Sequence, residues 1–326
     1  MHSQSSRKSI LLTLVFIVLL WLGTFTAYSA RNDIYDWWRL RGYVPSTDVA
    51  RLADETTMNQ DTRRTFYAYK PSIESDASFN EHCRDSEFTI VLGCYVQYQG
   101  IYIFKIDDAR LQGIEQVTAA HELLHVAYDR MSSKERSRID ALTAEVFANI
   151  KDQRIKDTVA QYNDNDPSSV PNELHSILGT EVGTLPDELE KHYTQYFTNR
   201  SKIVSYSEQY EQAFSSRKSR IEQLERDLKD LKAKIETANR ENEATHTYLS
   251  SRSDQLQSDM NRGSNTTQSE VDAYNREVEK YNVQVQRTSR LIDSYNAKYE
   301  TYKNIVGEQN DLFSKIDSRP DTVKTQ

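Results

Sequence analysis

The C-terminal third of the chain constrains the fold most. Between residues 203 and 317 glycine and proline nearly vanish, and apolar residues recur at alternating spacings of three and four. Ile221, Leu224, Leu228, Leu231 and Ile235 set the pattern. After a polar break at Asn261-Arg262-Gly263-Ser264-Asn265 it resumes as Val271, Tyr274, Val278, Tyr281, Val285, Thr288, Ile292, Tyr295, Tyr299, Tyr302 and Val306. A seven-residue apolar repeat sustained over this length is the signature of a coiled coil. The short break predicts an antiparallel hairpin whose first arm, Ile221 to Met260, extends roughly 60 Å at 1.5 Å per residue. The alternative is a parallel dimer with an interrupted stalk, and the weakening of the first arm at Asn242 and Thr245 argues against it. Residues 201–318 are assigned to the coiled coil, as a spacer or as the seat of a protein partner. Residues 319–326 read as a disordered tail.

The other end of the chain addresses location. Arg7 and Lys8 precede an apolar run from Ile10 through Leu22 that fades through Gly23, Phe25 and Ala27. Basic residues before such a run suit a signal anchor or a signal peptide. A spanning helix needs ~20 residues, so the run is read as a transmembrane signal anchor over 9–28. That reading puts 1–8 in the cytoplasm and everything after the run outside. Cleavage at the small-residue pattern Ala27-Tyr28-Ser29 would instead release a secreted chain. Trp37 and Trp38 either sit at the membrane interface or belong to the first core helix. Outside the cytoplasm the only two cysteines, Cys83 and Cys94, are expected to form a disulfide. A net charge of −8, with Lys plus Arg at 41, argues against a nucleic-acid partner.

Residues 31–200 have the mixed pattern of a globular domain. Ser46 is a helix cap ahead of Val49, Leu52 and Ala53. Thr65 to Tyr69 reads as a strand, and Phe88 to Tyr95 and Ile101 to Ile106 read as a hairpin around Gly100. A helix follows from near Ile114 to about Met131. Ser132-Ser133-Lys134-Glu135 is a capping box for a second helix, with a core stripe of Ile139, Leu142, Val146 and Ile150. After a loop over Asn163 to Ser169, Pro171 suits the first turn of a helix carrying Asn172, Glu173, Leu174, Ile177 and Leu178. Pro186 starts another with Leu189, His192, Tyr193 and Tyr196.

Chemistry concentrates on His121-Glu122-Leu123-Leu124-His125. Two histidines four apart share one face of a helix and can bind a single Zn²⁺. Glu122 beside them can act as general base on zinc-bound water, whose pKa the metal lowers to near neutrality.

On these residues the chain resembles the zincin metallopeptidases, and among them the gluzincins, over roughly residues 85 to 200. The stretch His121 to Asp129 is similar to the thermolysin-type pattern, in which an Asp four residues after the second His orients a ligand histidine. Asp129 stands at that position, and ligand imidazoles usually do donate their other N–H to a carboxylate. The resemblance implies a third ligand from a downstream Glu in an Asn-Glu motif, matched by Asn172-Glu173-Leu174-His175-Ser176. Ile177 replaces the Asp that commonly closes that motif, and the interval from His125 is long. Glu181 and His175 are rival ligands. Tyr193 is the chosen donor to the oxyanion of the tetrahedral intermediate, with Tyr196 and His192 as alternatives. Strand Ile101 to Ile106 would offer its edge to an extended peptide. The implied architecture is an α+β zincin-like catalytic domain over 31–200, followed by a long α-helical coiled-coil hairpin.

The expected function is a membrane-anchored zinc metallopeptidase hydrolysing peptides or proteins outside the membrane. Two readings compete with it. One is a coiled-coil interaction protein with an inactive zincin domain, from which Glu122 should have been lost first. The other is a metal-dependent hydrolase with a non-peptide substrate.

Overall fold

The computed structural model describes residues 14, 16–24, 26, 28–83, 91–263 and 266–318. In chain order these form α1 (Arg31–Arg39), α2 (Thr47–Glu55), α3 (Gln60–Ala68), β1 (Ser72–Glu74), α4 (Asp76–His82), β2 (Gly93–Val96) and β3 (Gly100–Phe104). A 3₁₀ turn (Ala109–Leu111) leads to α5 (Ile114–Arg130), α6 (Ser133–Asn149), α7 (Gln153–Asn165), α8 (Val170–Glu181), α9 (Asp187–Tyr193), α10 (Arg200–Asn261) and α11 (Gln268–Ile316). The protein is mostly helical with one small three-stranded sheet.

Polar caps set many helix starts, because the first turn leaves backbone N–H groups without partners. Ser46 accepts from the Val49 N–H, Asn59 from Thr62, Ser132 from Glu135 and Asp152 from Arg154. The Asn59 cap also explains one error of expectation. Thr65 to Tyr69 is not a strand; Thr65 to Ala68 form the last turn of α3. Thr62 and Phe66, four apart, bury on one face, a helical period that the β-prone residue types concealed.

The sheet has the order β1-β3-β2, with β1 parallel and β2 antiparallel to β3. The expected hairpin is therefore present as Gly93–Val96 and Gly100–Phe104, while residues 88–90 of the expected first strand lie outside the described residues. The expected free edge on Ile101 to Ile106 is corrected. Ser72–Glu74 pairs with one side of β3 and Gly93–Val96 with the other, so among the described residues β2 is the edge strand near α5. Cys83, at the end of α4, is bonded to Cys94 of β2 as expected, with Cα atoms 5.9 Å apart.

α5 lies at the centre of the core. From Gln116 to Tyr128 every residue except His121 is buried, because the sheet covers one side of the helix and α8 the other. α8 approaches so closely that a Cβ on Gly179 would sit 2.5 Å from Leu124 Cδ1 and 2.7 Å from Tyr193 Cε1. Helices α6 and α7 occupy the long interval between the histidines and Glu173.

The chain divides into two compact units, one running to Glu211 and resuming at Lys315, the other spanning Gln212–Ser314. The first turns of α10 belong to the globular unit, later than the expected boundary at 200/201. Ile203 and Val204 are buried there, and Tyr206 and Tyr210 pack on its core. The chain also returns to this unit, where the Ser318 hydroxyl donates to the Val91 carbonyl at 2.5 Å.

The second unit is an antiparallel pair of helices. Phe214 stacks near Phe313 (5.2 Å between centroids), Lys298 pairs with Asp227 at 2.7 Å, and Asn242 donates to Thr288 at 3.0 Å. Residue numbers rise on one arm as they fall on the other, as the single polar break implied.

Among the described residues no helix is long and apolar enough to cross a membrane. The spanning anchor expected over 9–28 is thus not found there. Residues 9–13, 15, 25 and 27 of that stretch, the segment 1–8 and the tail 319–326 lie outside the described residues.

Candidate metal centre

Two helices and an edge strand build the site. Gly113, at φ 107°, turns the chain into α5, on which His121 and His125 come one helical turn apart. Their rings lie 4.7 Å apart between centroids and nearly perpendicular. His121, Glu122 and His125 bring potential ligand atoms within 4.8 Å of one another, a group that could hold a metal ion.

α8 adds a second carboxylate. Glu173 Oε2 lies 3.4 Å from His121 Nε2, and Glu173 Oε1 lies 3.6 Å from His125 Nε2. One carboxylate thus faces both imidazoles. The three side chains keep 16, 11 and 13% exposure, so solvent reaches them. Glu173 Oε2 is buried and has no hydrogen-bond partner among the described residues. A buried acceptor left unpaired is costly, and a cation shared with the two histidines would remove that cost. Burial pushes the Glu173 carboxyl up, but the facing imidazoles of His121 and His125 outweigh it and hold the group below its ordinary range.

The rival ligands are committed elsewhere. Glu181 receives Arg154 Nη1 at 2.5 Å. His175 is fully enclosed, with its Nε2 2.9 Å from His192 Nε2, and burial keeps both imidazoles neutral, His192 at about 4.

Glu122 faces the sheet. A Cβ on Gly93 would lie 3.0 Å from both Cγ and Oε1 of Glu122, so only glycine lets β2 come this close. The Tyr95 backbone N–H bonds to the Glu122 carboxylate. Burial raises this carboxyl to about 7; the Glu173 charge adds to the rise, while His125 and the Tyr95 N–H oppose it.

His125 Nδ1 lies 3.0 Å from Asn172 Oδ1 and 3.3 Å from Ser176 Oγ. The group orienting this histidine is therefore the amide beside Glu173. Asp129, expected in such a role, instead accepts from Gln97 Nε2 at 3.3 Å. Tyr193 is also displaced from its expected role. It is fully buried and its hydroxyl donates to the His175 carbonyl at 2.7 Å, which ties α9 to α8 and leaves nothing for a substrate. Tyr162 of α7 was not anticipated. It sits beside Glu173 and within the field of Glu122; burial and those charges push its phenol well above the ordinary value. The stripe Ile155, Val159 and Tyr162, at helical spacing on α7, marks it only as a core residue packed on Leu174 and Ile177, and not as a neighbour of Glu173. Comparison with protein-family models, with curated proteins and with solved structures finds no match to this chain.

Proposed function

We propose that the protein is a zincin-type zinc metallopeptidase, with His121, His125 and Glu173 as the metal ligands and Glu122 as general base. The observation that carries this reading is Glu173. It arrives from a separate helix and lies 3.4 and 3.6 Å from the two imidazole nitrogens. Ligands bound to zinc at 2.0–2.1 Å in tetrahedral array are about 3.3–3.4 Å apart, so the three residues fit that ion. A set of two imidazoles and one carboxylate, with one position left open, is also the donor set of catalytic rather than structural zinc.

When bound, the ion supplies Lewis acidity that polarises a carbonyl and lowers the pKa of water. The residues do the rest. Glu122, buried beside the two histidines, would take the proton from the attacking water on its carboxylate and pass it to the leaving amine. Asn172 holds the His125 ring through Nδ1. The Tyr162 hydroxyl, bonded to the Glu173 carboxylate, would hold that ligand toward the two imidazoles. The edge of β2 over Glu122 is where an extended peptide would add as a strand. The disulfide supports a setting outside the reducing cytoplasm, and the apolar N-terminal run would tether the chain there.

The test is hydrolysis of a broad peptide library by the purified full chain, with elemental analysis of its metal. Stoichiometric zinc, cleavage, loss of cleavage on chelation and recovery on adding zinc are expected. A zinc-loaded chain that cleaves no peptide would refute the peptidase.

A further inference from the structure

Helix α1 has two unlike faces. Its inner face is bonded into the globular unit. Asp36, only 3% exposed, pairs with Arg130 at 2.5 and 3.0 Å. Arg39 donates to the Ala68 carbonyl at 3.0 Å and to the Gln99 carbonyl at 2.5 Å. Tyr35 packs against Tyr69 and Tyr98. The outer face is apolar and open: Ile34, Trp37 and Trp38 are 52, 55 and 62% exposed. This separates the two readings of the tryptophan pair, which is not part of the core. Two large indoles left in water on a helix otherwise fixed in place are unfavourable, because apolar surface is stabilised by leaving water.

We propose that the outer face of α1 docks on the surface of a lipid bilayer, with Trp37 and Trp38 in the headgroup region. Three observations select lipid over a protein groove. First, α1 follows directly on the apolar run of residues 10–28, whose described large side chains from Leu14 to Leu22 are all exposed. Whatever apolar medium receives that run lies next to α1. Second, the residue type is right: tryptophan is enriched at membrane–water interfaces, with its apolar ring inward and its N–H toward headgroups. Third, the margins carry two arginines, against one exposed carboxylate, Asp33. Arg41 lies 3.8 Å over the Trp37 ring and Arg31 4.6 Å over the Tyr28 ring. Guanidinium groups so placed can reach lipid phosphates while their stems cover apolar surface. The docking does not require the preceding run to cross the bilayer.

The bracing gives the contact a consequence. Arg130 closes the helix that carries His121 and His125, and Gln99 lies in the turn joining β2 to β3. Docking of α1 would therefore hold the candidate metal centre at a fixed height above the lipid.

The test uses the full chain with Trp21→Phe, which leaves Trp37 and Trp38 as the only tryptophans. The chain is reconstituted into vesicles of phosphatidylcholine and phosphatidylserine, with bromine placed shallow or deep on the acyl chains. Blue-shifted emission, stronger quenching by shallow than by deep bromine, and iodide access several-fold below that of N-acetyltryptophanamide are expected. Emission open to iodide and unquenched by lipid overturns the proposal. So does shielding from iodide without bromine quenching, which would mean that a protein surface, including a second copy, covers the face. Failure of the chain to float with vesicles overturns it as well. None of these readouts depends on metal or on hydrolysis, so they stand apart from the peptidase reading.

Discussion

Replacing Glu122 with Gln should make the metal-free protein more stable and the metal-loaded protein inactive. The carboxyl is buried, 5% exposed, and sits at about 7 against an ordinary 4.5. Between those two pH values the folded state holds a proton that the unfolded state has lost. Stability contributed by this group is therefore present below 4.5 and falls as pH rises through 7. At 1.36 kcal/mol per tenfold change, the full loss is roughly 3 kcal/mol. Gln carries no charge, so Glu122→Gln avoids it: equal to wild type near pH 4, and up to about 3 kcal/mol more stable above pH 7. Amide hydrogen exchange along α5, in chelator-treated protein and corrected for intrinsic rates, reads the globular unit without interference from the coiled coil. In zinc-loaded protein the same change should cost at least 10²–10⁴ in rate with zinc retained. A protection difference that does not vary with pH would refute the raised carboxyl. Cleavage at the wild-type rate would refute the general base.

Other substitutions separate the remaining roles. His125→Ala and Glu173→Ala should each abolish stoichiometric zinc by elemental analysis, whereas Glu181→Ala should retain it, because Glu181 is held by Arg154. Asn172→Ala should weaken zinc binding about 10- to 100-fold in competition with a chromogenic chelator, and unchanged affinity would remove it as the group that orients His125. Tyr162→Phe should weaken zinc binding about 10- to 100-fold in the same competition, as loss of a hydrogen bond to a ligand carboxylate does. Tyr193→Phe should instead leave the rate near wild type and cost ~1–3 kcal/mol of stability, since it strands a buried carbonyl. Replacing Gln212–Ser314 with a short glycine linker should preserve small-peptide cleavage. The ends are close, with Phe214 and Phe313 rings 5.2 Å apart, and keeping Lys315 to Ser318 retains the bond to Val91. Lost cleavage with an intact globular unit would place part of the site in the arm.

What the sequence made legible followed the length scale of its signals. The two long C-terminal helices announce themselves over some hundred residues and the short break suits a hairpin, but the expected seam is only partly right, since Val285, Ile292 and Tyr299 stay exposed. The helix of His121 and His125 was legible for a local reason, since spacing along one helix fixes which side chains share a face. Its boundaries at Gly113 and Ser132 are likewise local, set by one left-handed residue and one cap. Local signals misled where a short segment drew its conformation from distant partners. Ser72–Glu74 becomes a strand only because β3 lies beside it, and three residues of mixed character carry no periodicity. That missed strand is also why β3 was assigned a free edge.

The site divides along the same line. Position four after the second histidine suggested that Asp129 would orient a ligand, but register along a helix does not say which neighbour packs across from it. α8 is drawn tightly onto α5 by Gly179, and that approach delivers the whole first turn of α8 to the histidines: Glu173 to both Nε2 atoms and Asn172 to His125 Nδ1. The Asn-Glu pair therefore works as a unit, one residue facing the imidazoles and the next steering one of them. Tyr193 follows from the same packing. Its ring lies against Gly179, and its hydroxyl closes on the His175 carbonyl, so the residue expected to meet substrate instead holds in place the helix that brings Glu173. A substitution at Gly179 should accordingly disturb metal binding from a distance, because any added Cβ would push α8, and with it Glu173, away from α5.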